Sequence, residues 1–221
     1  LHDALPIWVG WYRLNFDAPS FAKGKKATLI FDGAMSHARV YVNGQEAGYW
    51  PYGYNTFYLD VTPYLKEGMM NTLAVRLENE TESSRWYPGA GLYRNVHLVV
   101  TEDAHIPTWG TQLTTPVVKD DYAKVNIKTT LVVPSGKQFD AYRIVTELKD
   151  KNGKVVTTNE KQGTRFDDNV FSQELVVTHP ALWSPETPVL YQAVSKVYEG
   201  NTLKDEYVTS FGIRTIEVKI G

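Results

Sequence analysis

Carboxylates, histidines and two clusters of aromatic residues are the groups in this sequence that could do chemistry. A general acid needs a desolvated pocket that raises its pKa, facing a second carboxylate. The two Asn-Glu pairs, Asn79-Glu80 and Asn159-Glu160, fall at strand ends in polar surroundings, the second followed by Lys161. Neither neighbourhood reads as such a pocket. The five histidines (His2, His37, His97, His105 and His179) lack the i, i+4 spacing of a metal site and read as surface or strand-edge residues. No phosphate-cradling Gly-rich loop and no G-x-S-x-G elbow occurs. With zero Cys there is no thiol nucleophile, thiolate site or disulfide framework. The sequence therefore predicts no catalytic residue, no metal site and no cofactor within these residues.

The aromatic clusters are Tyr49-Trp50-Pro51-Tyr52-Gly53-Tyr54 and Arg85-Trp86-Tyr87-Pro88-Gly89-Ala90-Gly91. Gly and Pro make each a loop rather than a strand interior. An exposed Trp or Tyr presents a flat apolar face with a polar edge, suited to stacking on the C–H face of a pyranose, and Arg donates to hydroxyls. The competing explanation is packing: the rings close the end of a sandwich or meet a neighbouring domain. Both stay open for the first cluster, and the Arg-Trp-Tyr triplet of the second favours a ligand.

Period-two alternation dominates the elements that must position these loops. Tyr12, Leu14 and Phe16 share one face of a first strand; Ala38, Val40 and Val42 lead into Asn43-Gly44, a hairpin turn; Leu73, Val75 and Leu77, then Val96, Leu98 and Val100, form further faces. Asp60–Leu65 allows a single helical turn, capped by Asp60 or Thr62 with Pro63 in its first turn. After Thr101, Ala123, Val125, Ile127, Thr129, Leu131 and Val133 alternate with solvated residues. Lys151-Asn152-Gly153 turns a second hairpin, and Val170–Val177, Leu190–Tyr198 and Tyr207–Ile213 follow, a pattern of about seven strands as in an immunoglobulin-like sandwich. Two all-β domains in series are expected, with a boundary near Glu102–Pro107.

Composition fits. The 221 residues carry 23 Lys and Arg against 25 Asp and Glu, a near-neutral balance with no electrostatic footprint for nucleic acid. No apolar run reaches the ~20 residues of a membrane-spanning helix. Leu1–Ile7 lacks the form of a signal peptide and is set apart as a candidate non-native leader; the compartment, whether periplasmic, secreted or cytoplasmic, stays open.

The segment from Arg85 to Val96 (R-W-Y-P-G-A-G-L-Y-R-N-V) resembles the R-W-Y-x-G-x-G-[IL]-Y-R-x-V segment of glycoside hydrolase family 2, which contains β-galactosidases, β-glucuronidases and β-mannosidases. Gly10-Trp11-Tyr12-Arg13, Phe31-Asp32-Gly33, Val42-Asn43-Gly44 with Gly48, Phe57–Thr62, and Gly68 with Asn71–Val75 are similar to the family's sugar-binding domain in the same order. Leu182-Trp183-Ser184-Pro185 and Phe211-Gly212-Ile213-Arg214-Thr215-Ile216 resemble the end of its immunoglobulin-like domain.

The resemblance implies an all-β fold: a jelly-roll (galactose-binding-like) sandwich over 8–102 and an immunoglobulin-like sandwich over 105–218. It implies that both catalytic glutamates of a retaining exo-glycosidase, about 5 Å apart, lie on a TIM barrel that follows the Phe-Gly-Ile-Arg strand and is absent here. This piece would brace that barrel, its partner, and lend a loop to a pocket for a β-linked sugar in carbohydrate catabolism, with Arg85, Trp86 and Tyr87 as substrate-binding residues. β-Galactosidase is the leading type. Arg85 stands where some relatives place an acidic residue that helps hold a monovalent cation, so that ion site is not carried over. Phe211–Arg214 and Trp183 are expected to be structural. A homo-oligomer is compatible with the family; a stand-alone carbohydrate-binding module on an immunoglobulin-like spacer is the alternative.

Overall fold

The alternating faces assemble into antiparallel sheets in the computed structural model, which describes residues 9–20, 24–79, 89–165 and 168–216. The chain divides into two compact units, residues 1–101 and 102–221. The leader 1–7 lies outside the described residues. No helix among the described residues is long and apolar enough to cross a membrane.

The first unit contains β1 (Val9–Asp17), β2 (Lys26–Phe31), β3 (Ala34–Met35), β4 (Ala38–Val42), β5 (Gln45–Trp50), β6 (Phe57–Asp60), β7 (Met70–Glu78), β8 (Gly91–Leu92) and β9 (Val96–Thr101). They form a four-stranded sheet in the order β1-β7-β4-β5, a three-stranded sheet β6-β2-β9 and a short pair β3-β8. The inward residues of both larger sheets, including Leu29, Phe31, Val40, Val42, Phe57 and Val75, form one buried cluster in which the Phe31 and Phe57 rings stack at 4.8 Å. Each such side chain contributes roughly 1.5–3 kcal/mol by leaving water. The Asn43-Gly44 turn forms as expected, both residues at positive φ (52° and 83°) with Val42 paired to Gln45.

At that turn end, Asn71 is buried and fully engaged: its Oδ1 accepts from Lys66 N and Asn43 Nδ2, and its Nδ2 donates to the Lys66 and Met69 carbonyls. The predicted helical turn is a 3-10 turn, Thr62–Tyr64, with Val61 as the N-cap. Asp60 still accepts from Thr62 N at 2.9 Å, whereas the Thr62 hydroxyl accepts from Ala27 N on β2 instead of capping.

The second unit contains β10 (Thr111–Val118), β11 (Tyr122–Thr130), β12 (Tyr142–Lys149), β13 (Val155–Gln162), β14 (Val170–Thr178), β15 (Tyr191–Glu199) and β16 (Thr202–Phe211). Their orders, β10-β11-β14 and β13-β12-β15-β16, give the two layers of an immunoglobulin-like sandwich. Ala123, Val125, Ile127 and Leu131 are buried on the face that the alternation assigned them. Within this core, Thr146 donates to Gln173 at 2.8 Å and lies 3.1 Å from Ser195, while Gln173 Nε2 donates to the Asn159 carbonyl. Trp183 packs on Gly212, takes the Arg214 guanidinium 4.5 Å from its ring centroid and donates its N–H to the Ile213 carbonyl, a structural arrangement.

Candidate functional site

Three segments of the first unit converge at the end of the sandwich where β7 finishes. Glu78 exchanges hydrogen bonds with Ser36: its N–H donates to the Ser36 carbonyl, and the Ser36 hydroxyl donates to the Glu78 carbonyl at 2.7 Å. Next in sequence, His37 N donates to the Pro51 carbonyl. β3 pairs with β8 through Ala34–Leu92 and Met35–Gly91, and the Tyr93 hydroxyl donates to the Gly53 carbonyl at 2.6 Å. Residues 32–37, 51–56 and 89–95 thus form one hydrogen-bonded rim.

Gly91 shows why the sequence closes this way. Its φ is +107°, and a Cβ there would run into the Tyr12 hydroxyl of β1, so only glycine permits both the turn and the close approach.

Arg85, Trp86 and Tyr87 lie outside the described residues, as does Glu80. The residues on either side, Asn79 and Gly89, are described, and the neighbouring Glu78 and Gly91 belong to the rim through the bonds just given.

The first aromatic cluster divides in two. Trp50 belongs to the core: its ring stacks 5.6 Å from Phe57, and its Nε1 donates to Asn55. Tyr52 and Tyr54 remain 56% and 46% exposed and meet edge to face at 5.6 Å. Tyr49 lies beside His37, its hydroxyl 2.6 Å from Nδ1, with the Arg39 guanidinium 4.9 Å from its ring centroid. Both explanations offered for this cluster therefore apply, to different residues. Exposed rings with hydroxyl edges and nearby guanidiniums form a surface able to stack on an apolar sugar face and donate to its hydroxyls.

The described carboxylates at this end are tied to cations. Asp32 lies 3.1 Å from His97 Nε2, and Glu78 accepts from Arg76 at 2.8 Å. Glu160, on β13, is exposed and paired with Arg143 at 3.1 Å, a surface ion pair rather than a desolvated acid. Among the described residues, no group of three or more His, Asp or Glu is placed to hold a metal.

Sequence reasoning missed Ser36 and His37 as rim residues, and saw Tyr93 only as one letter of a motif. The signal available was the Gly-x-Gly-Leu-Tyr spacing, which sets a tight turn and then aims a hydroxyl.

Comparison with known proteins agrees with these features. The profile of the glycosyl hydrolases family 2 sugar binding domain matches residues 7–102, and the glycosyl hydrolases family 2 profile matches residues 104–214. A β-galactosidase of Bacteroides ovatus, BoGH2A, is 41% identical over 218 residues, covering 97% of this chain and 26% of its own length. The crystal structure of a glycosyl hydrolase family 2 member from Bacteroides cellulosilyticus superimposes with a TM-score of 0.88 at 36% identity, over 95% of this chain and 27% of that one. A β-glucuronidase structure from the same family superimposes with a TM-score of 0.84 at 28% identity, over 94% of this chain and 24% of that one. The chain spans about a quarter of the length of these relatives. With both consecutive profiles matched and both sandwiches present, this chain belongs to glycosyl hydrolase family 2.

Proposed function

We propose that residues 8–102 and 105–218 are the non-catalytic N-terminal domains of a retaining exo-β-glycosidase, of β-galactosidase type, whose catalytic barrel is carried by polypeptide outside this chain. In this reading the two sandwiches brace the barrel, and Arg85, Trp86 and Tyr87 reach the pocket that holds the terminal sugar. The barrel supplies two carboxylates about 5 Å apart, one forming the glycosyl-enzyme and the other acting first as acid and then as base. These domains contribute position and recognition.

The observation that carries the reading is the rim. The residues flanking the Arg-Trp-Tyr triplet are anchored by Glu78–Ser36 and Met35–Gly91, beside the exposed Tyr52 and Tyr54. A loop held at both ends places its side chains more reproducibly than a free one. The 41% identity to a β-galactosidase supports the choice of sugar.

Arg85→Ala and Trp86→Ala in the full-length enzyme test this reading. Loss of a sugar contact lowers kcat/KM by tenfold or more, about 1.4 kcal/mol, with the melting temperature unchanged. Unchanged kinetics with a lowered melting temperature would make the loop structural.

A further inference from the structure

The first sandwich is open along one flank. β1 and β9 are the edge strands of the two facing sheets, each paired with a single neighbour among the described residues, β7 and β2 respectively. Between them lies an apolar groove of about 320 Å³, lined by Tyr12, Leu14 and Phe16 of β1 and by Leu29, Val96 and Leu98. On β7, the adjoining strand of the same sheet, Val75 and Leu77 are buried, yet Leu14 on the corresponding face of β1 is 59% exposed and Tyr12 43%. A face with core composition and solvent exposure sits beside two rows of backbone groups without a ladder partner. An open edge of this kind is a template for a further strand.

We propose that this groove is filled by a β-strand from the polypeptide that leads into β1, hydrogen-bonded to β9 and inserting alternate apolar side chains between the sheets. Register supports this occupant. Val9, where β1 begins, pairs with Glu78, and Glu78 is bonded to Ser36 at the rim. Val96, where β9 begins, pairs with Phe31, next to Asp32, whose N–H donates to the Asn95 carbonyl at the same end. Chain arriving at Val9 therefore stands at the mouth of the groove. A strand that ran up the groove and turned into β1 would lie antiparallel to β9, the pairing that needs only a short connection. It would cover Leu14 and Tyr12 and remove both edges. The proposal concerns how the sandwich is completed and stands independently of the sugar that the enzyme takes.

Photocross-linking in the full-length protein tests it, with a benzophenone amino acid replacing Leu14 and the linked peptide identified by mass spectrometry. Hydrogen exchange of residues 96–101 in the unmodified full-length protein is the second measurement, since it requires no substitution. The expected result is a cross-link to a peptide preceding Val9 of the same chain, with amides of β9 exchanging at least tenfold more slowly than in the 221-residue chain. A cross-link to the catalytic barrel or to a second copy would overturn the proposal by assigning the groove to that occupant. No cross-link together with equally fast exchange in both proteins would leave the flank open to solvent and overturn it as well.

Discussion

The Tyr93 hydroxyl donates to the Gly53 carbonyl across 40 residues of sequence, tying the loop of Tyr52 and Tyr54 to the strand end that follows the Arg-Trp-Tyr triplet. One hydrogen bond thus couples the two aromatic clusters that the sequence presents separately. Tyr93→Phe keeps the ring and removes the donor, leaving the Gly53 carbonyl to find water. It is expected to cost about 1 kcal/mol, read as a lower urea midpoint with an unchanged m-value. An unaltered midpoint would mean that the bond does not hold the rim.

Asn71 is the polar residue that the first sandwich can least replace. Asn71→Ala strands Lys66 N, the Lys66 and Met69 carbonyls and Asn43 Nδ2, four groups that its amide now serves. Unpaired buried groups cost roughly 1–3 kcal/mol each, offset where water enters, so a loss of roughly 3 kcal/mol is expected in chemical denaturation. A loss below about 0.5 kcal/mol, the usual range of a neutral surface change, would contradict this.

Gly91→Ala combines two penalties, a left-handed backbone and a Cβ directed at the Tyr12 hydroxyl. A destabilisation of about 2 kcal/mol is expected. Adding Tyr12→Phe should recover the steric part only, so the double variant melts between Gly91→Ala and the parent protein.

Local signals made part of this fold legible and left part of it hidden. Asn43-Gly44 specified its hairpin because the turn chemistry resides in those two residues. The run from Ala123 to Leu131 specified its buried face by uninterrupted alternation. β10 was missed: Thr111–Val118 includes Pro116, and its pairing with β11 shifts register between Thr114 and Val117, which breaks the alternation that would have revealed it. Alternation also identified the shared face of Tyr12, Leu14 and Phe16, but could not show that this face lies open, because cover depends on neighbours distant in sequence. The rim was illegible for the same reason. Trp50 and Tyr52 look alike in sequence, and only the arrival of Phe57 makes one a core residue while the other stays exposed.

Two carboxylates of the second unit give stability opposite dependences on pH. Burial pushes the Asp205 carboxyl above its ordinary value of 3.8, more strongly than the Ile106 and Glu206 N–H groups pull it down. The folded protein therefore holds this proton more tightly than the unfolded chain. The resulting contribution is complete below the ordinary value and is lost as pH rises through the folded one. Hydrogen bonds from Lys137 and then Lys204 hold Glu199 below its ordinary 4.5, so its contribution is present above that value and disappears as pH falls through the folded pKa. In urea titrations from about pH 3 to pH 7, Asp205→Asn should gain stability relative to the parent as pH rises. Glu199→Gln should be less stable at neutral pH and converge with the parent in acid. Parallel curves for either variant would refute its assignment.

The division of labour between these sandwiches and a separate reaction centre is tested most directly by assaying the 221-residue chain beside the product of the complete coding sequence on a panel of nitrophenyl β-glycosides. The account predicts no turnover by the chain at any pH, and turnover by the complete protein with the β-galactoside preferred. Hydrolysis by the purified 221-residue chain itself would place the catalytic carboxylates among these residues and contradict it.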